Sequence, residues 1–129
     1  MRYEHLVQIN DPLMPLLDTL TRNQLWQGLV LRAEEPKQFV LGLERATIHS
    51  HEIHDGVHVL TRTLDFGSFR VEDRVHLERD RRSEIHTKAG PTWPASRLTI
   101  TIEEPQPELL FLRCLYESYV SPGRWSATP

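Results

Sequence analysis

Apolar and polar residues alternate most clearly over residues 57–77, VHVLTRTLDFGSFRVEDRVHL. A period of two is the mark of a half-buried strand. Gly67-Ser68 interrupts the pattern and supplies a glycine-first two-residue loop, as a type II′ hairpin turn requires, because its first residue must take φ > 0. Two antiparallel strands joined there would pair Phe66 with Phe69, Leu64 with Val71, Arg62 with Asp73 and Leu60 with Val75. These pairs share one face. Arg62 and Asp73 then stand opposite each other among Leu60, Leu64, Phe66, Phe69, Val71 and Val75, while Thr61, Thr63, Asp65, Arg70, Glu72, Arg74 and His76 face water. A charged pair on an apolar face predicts a cavity with a polar spot rather than a plain core.

The rest of the chain is read the same way. Residues 3–10 alternate, with Tyr3, His5, Val7 and Ile9 on the more apolar face, and Asp11-Pro12 ends this first strand. Residues 12–20 form a connection. Thr21 and Gln24 make a capping-box pattern, and Leu25, Trp26, Leu29 and Val30 follow at helical spacing. That helix runs to about Glu34, before Pro36. Pro36 opens a second short helix to Val40, closed by Gly42. Residues 43–53 form a strand. The turn after it is read as a three-residue loop, His54-Asp55-Gly56, with a type I turn and a bulge at the glycine. This register sets Ile48 against Arg62 and Ala46 against Leu64, whereas a two-residue Asp-Gly turn would move His49 and His51 to the apolar face. Strands follow at 82–89, 96–104 and 108–118, with Leu98, Ile100 and Ile102, then Leu110, Leu112, Cys114 and Tyr116, facing inward. The order β-α-α-β6 predicts an α+β fold with a bent antiparallel sheet of about seven strands.

Composition narrows the function classes. A chain of 129 residues is long enough for one domain with a core of its own. Its net charge of −3 offers no basic field for nucleic acid or an anionic membrane surface. No apolar run approaches a membrane span, and the opening MRYEHLVQIN is too short and polar for a signal peptide. The expected location is therefore the cytoplasm. The single cysteine, Cys114, excludes an intrachain disulfide and is expected to be inert.

The candidate chemistry lies on the apolar face. The planar fork of Arg62 suits a carboxylate or enolate oxygen of a ligand. Asp73 would accept a hydroxyl proton, or act as a base if desolvated. The plainer alternative is a cross-strand pair that satisfies itself, a contribution of about 0.2–1 kcal/mol. His5, beside Tyr3 and Tyr116, is a polar-lining candidate, with a satisfied core histidine as the favoured plainer alternative. His49, His51, His54 and His58 are expected at the surface, because no Cys or carboxylate completes a metal set at a known spacing. Trp93, between two prolines, is expected to gate a cavity mouth or cap the sheet edge. No phosphate loop, nucleophile elbow or HExxH motif is present, and no cofactor or metal is expected.

The stretches YEHLVQIND, TRNQLWQGLVLRAEEP and FRVEDRVHLE, in this element order, resemble the START-like, birch-pollen-allergen-like superfamily (SRPBCC), and within it a small bacterial branch described as AtaL-like. The resemblance covers roughly residues 1–119, taken as the domain, with 120–129 as an irregular tail. It implies a helix-grip fold with an apolar cavity between the sheet and a long C-terminal helix. Superfamily members bind lipids, sterols, hormones or polyketides there, and some catalyse cyclisation or dehydration. That helix should begin near Tyr119, where Pro122 and Gly123 stand instead. It is therefore expected to be missing, and a partner subunit is expected to cover the open face in a dimer or larger oligomer. The expected function is binding of a small, largely apolar molecule by the inner face, with Arg62, Asp73, Leu60, Leu64, Phe66, Phe69, Val71, Val75, Leu98, Ile100, Tyr116 and His5 as lining candidates. The alternatives are a cyclase- or aromatase-like enzyme and an interaction module without a ligand.

Overall fold

The computed structural model describes residues 1–10, 13 and 19–119. Its elements are β1 (Arg2–Gln8), α1 (Arg22–Glu34), β2 (Arg45–His54), β3 (Val57–Asp65), β4 (Arg70–Glu78), β5 (Arg82–Thr87), β6 (Ala95–Gln106) and β7 (Leu109–Tyr119). All seven strands join one antiparallel sheet in the order β1-β7-β6-β5-β4-β3-β2. Successive hairpins build it from β2 to β7, and β1 closes alongside β7 as the far edge.

The central hairpin has the register that its alternation requires. Arg62 pairs with Asp73, Leu64 with Val71 and Leu60 with Val75. The Phe66 amide donates to the Phe69 carbonyl at 2.9 Å across the turn. Gly67 takes φ +89°, a backbone conformation for which the turn needs glycine.

The α+β helix-grip expectation is corrected. The described chain is mostly sheet and holds one α-helix. The expected second helix is a single 3-10 turn, Pro36–Gln38. One turn cannot recover the cost of helix nucleation, and Gly42, at φ +82°, turns the chain away toward β2. The expected absence of a C-terminal helix and the expected irregular tail concern 120–129, outside the described residues, as does most of the 12–20 connection.

The β2–β3 turn is also corrected. Asp55 and Gly56 both have positive φ, 52° and 79°, and form a two-residue turn in which His54 pairs with Val57. The expected pairs Ile48–Arg62 and Ala46–Leu64 are nevertheless present, because the register shifts between Ile48 and Ser50. The bulge sits inside the strand at His49 rather than at the turn. It returns Ala46 and Ile48 to the inner face after the short turn has displaced the pattern by one residue.

Helix α1 begins at a full capping box. The Gln24 amide donates to Thr21 Oγ1, and the Thr21 amide to Gln24 Oε1. Its buried side, Leu25, Trp26, Leu29 and Ala33, packs on Leu60, Val75, Leu77, Ile100, Ile102 and Leu110. Arginines fix the helix at both ends. Near its start, Arg22 donates to the carbonyls of Asp80 and Ile102 at 2.8 and 3.2 Å. At its end, Arg62 of β3 donates to the Ala33 carbonyl at 2.8 Å. Asn10, 3% exposed, clamps the entry to the helix: its amide nitrogen donates to the Leu20 carbonyl, and its oxygen accepts from the Leu20 amide.

The outer face of β1, β7 and β6 is tied by ion pairs. Arg113 bridges Glu4 at 2.6 Å and Glu103 at 2.5 Å, and Arg97 meets Glu117 at 2.9 Å. Hydrogen bonding to these carboxylates raises Arg113 above the usual arginine range, and the Arg113 bond holds the Glu103 carboxyl below its ordinary value. No helix among the described residues is long and apolar enough to cross a membrane.

Candidate functional site

Beyond the end of α1 the inner face is not filled. Two adjoining hollows, about 420 and 230 Å³, share Arg32, Leu98 and Tyr116 and form one trough. Leu64 of β3 and Tyr116 of β7 both line the smaller hollow. Those strands are four spacings apart, about 19 Å in a flat sheet. Side chains from both meet one small cavity only because the sheet curls.

The strands sort the candidate residues by position. Arg62, Asp73, Leu64, Phe66 and Val71 line the smaller hollow, and His5 and Ile100 the larger one, while Leu98 and Tyr116 line both. Leu60 and Val75, 1% and 0% exposed, lie in the packed core under α1 and not in the trough. Phe69 stands at the rim, 46% exposed, stacked on Phe66 at 4.9 Å and tilted against Trp93 at 5.7 Å. Trp93 folds back over Gly90, where a Cβ would lie 2.1 Å from the indole, and its Nε1 donates to the Lys88 carbonyl. The aromatic loop therefore packs against the hairpin tip beside the trough.

Arg62 and Asp73 are each 4% exposed. Arg62 Nε donates to Asp73 Oδ1 at 2.8 Å and Nη2 to Oδ2 at 2.6 Å. Nη1 takes the Ala33 carbonyl. Both carboxylate oxygens are thus engaged, and the guanidinium joins β3, β4 and the end of α1. The polar spot expected on the apolar face exists, and its partners come from the protein itself.

Sequence reasoning missed Arg32. It lies in the last turn of α1, half-buried, and lines both hollows. Burial first, then the nearby Arg62 guanidinium, lower its pKa from the usual arginine value. The sequence signal was available: Arg32 falls at i+3 from Leu29 and shares the helix side that meets the sheet. Tyr3, Leu112 and Cys114 complete the wall of the larger hollow. Burial pushes the Cys114 thiol up, so it stays protonated at neutral pH.

His49, His51 and His54 are exposed, as expected of surface histidines, but the side of the sheet that His51 takes is corrected. His51 and His58 come together on the inner face, Nε2 to Nδ1 at 2.8 Å, because the two-residue turn sets His51 opposite Leu60. His49, at the bulge, instead reaches Thr63 Oγ1 at 2.6 Å. Among the described residues, no group of three or more His, Cys, Asp or Glu side chains is placed to hold a metal ion.

The family model described as AtaL, acetylaranotin biosynthesis cluster protein L, matches residues 7–124. The chain belongs to the AtaL family. The match takes in the helix, β2 through β7 and the whole trough except the Tyr3 and His5 end of β1. No curated protein matches the chain.

Proposed function

We propose that this AtaL-family protein binds a small, largely apolar molecule in the trough between the curled sheet and α1. The observation that carries this reading is the continuous hollow itself. A well-packed interior leaves few voids larger than a water molecule, yet about 420 Å³ stands open beside a dense core, within the range of about 300–1,000 Å³ typical of ligand sites. Its walls are mostly apolar, with a few polar groups, which is the usual make-up of such a site. The family description names a protein of a biosynthesis cluster, in keeping with a small-molecule ligand.

Binding is preferred to catalysis. A cyclase- or aromatase-type reaction would need an acid or base at the ligand, and Asp73, the carboxylate of the trough, has both oxygens held by Arg62, which leaves that role to Tyr116 or His5. Native mass spectrometry of freshly purified protein, followed by the same sample denatured, tests the reading. A retained small molecule released on denaturation is the expected result. An empty dimer or larger oligomer, with Leu98, Ile100 and Leu112 protected at the contact, would replace it with the interaction-module reading.

A further inference from the structure

We infer that Arg32 is the anion-recognising group of the trough, and that the ligand is an amphipathic acid: an apolar body carrying one carboxylate. This rests on the binding reading above and adds the ligand's charge to it. Arg32 makes no hydrogen bond or ion pair among the described residues. Three other arginines, Arg45, Arg74 and Arg79, also lack such partners, but they are exposed and water serves them. Arg32 alone combines a missing partner with a place in an apolar hollow. Half-buried at the hollow, its guanidinium gives up part of its hydration without a compensating bond.

The local charge inventory points the same way. Two guanidiniums and one carboxylate line the trough, and the carboxylate, Asp73, is already bound through both oxygens by Arg62. These three groups together leave one uncompensated positive charge in the trough. Arg62 adds repulsion to the burial that disfavours the Arg32 charge. A ligand carboxylate at Arg32 would compensate the lost hydration and offset the repulsion, and the guanidinium fork fits it through two parallel hydrogen bonds. Leu29, Leu98, Ile100 and Leu112 then receive the apolar body, and Tyr116, shared by both hollows, offers a hydroxyl beside the charged end. A cation in the last helical turn also favours the helix dipole. That contribution acts on stability and not on the choice between an acid and its ester.

Fluorescence titration of the full chain with 1-pyrenebutyrate and with its methyl ester tests the inference, since the two probes share the apolar body and the ester replaces the charge with one methyl group, which by itself favours the ester in an apolar hollow. The wild-type protein is expected to bind the acid at least tenfold more tightly than the ester. Arg32→Gln should bind both with the affinity of the ester, and Arg32→Lys should keep part of the preference. Circular dichroism checks that the variants fold, and the wild-type acid-to-ester ratio needs no variant. Equal binding of acid and ester by the wild type, or an unchanged preference in Arg32→Gln, overturns the role of Arg32 and leaves the binding reading standing. Binding of neither probe overturns both.

Discussion

The two ends of the inner sheet face are built from the same alternating strands and have opposite interiors. Under α1, Leu60, Val75, Leu77, Ile102 and Leu110 are at most 4% exposed and packed by Leu25, Trp26 and Leu29. Beyond the helix, Leu98, Leu112, Cys114 and Tyr116 remain half-buried around a hollow. The hollow end holds two arginines near the C-terminus of α1. Arg62 makes three hydrogen bonds within the protein, to Asp73 and Ala33, and Arg32 makes none among the described residues. A strand pattern states which side of the sheet is apolar; what covers that side decides whether it becomes core or site.

The comparison breaks first at the ion pair. Asp73→Ala leaves the Arg62 guanidinium buried without its counter-ion and is expected to cost about 3–5 kcal/mol, read by urea denaturation. A loss near 1 kcal/mol would mean that the pair lies open to water, and the contrast with Arg32 would vanish. Next comes packing. Leu60→Ala is expected to cost about 3 kcal/mol, within the usual range for a filled core, while Leu98→Ala, beside an existing hollow, should cost less than half as much. Equal losses would show that the far end is as tightly filled as the near one. Thr21→Ala removes the cap of the covering helix and should cost about 1 kcal/mol, seen as a lower melting temperature. Arg32→Gln should change stability least, by about 0.5 kcal/mol or less, because no protein partner is lost. A drop above 1 kcal/mol would assign Arg32 a structural bond.

Much of the fold was legible residue by residue. Gly67-Ser68 and the flanking alternation specified the β3–β4 register, and with it the meeting of Arg62 and Asp73, because a hairpin turn and a two-residue period leave little choice. Thr21 and Gln24 specified the start of α1. The β2–β3 connection shows the limit. The requirement that Ile48 face inward was read correctly, but the bulge that meets it lies at His49 and not at the turn. Pattern parity counts extra residues without locating them, and Asp-Gly favours the two-residue turn locally.

By itself, then, the sequence determined the strand faces, the helix start and the charged pair, because each depends on neighbours in the chain or on one hairpin. Tertiary structure decided the rest. It reduced the Pro36 segment to a single 3-10 turn, moved Leu60 and Val75 from cavity to core, and brought His51 to His58. Above all it set Arg32 over the hollow, because the curl of the sheet and the resting angle of α1 follow from packing between residues distant in the chain, which no local period records.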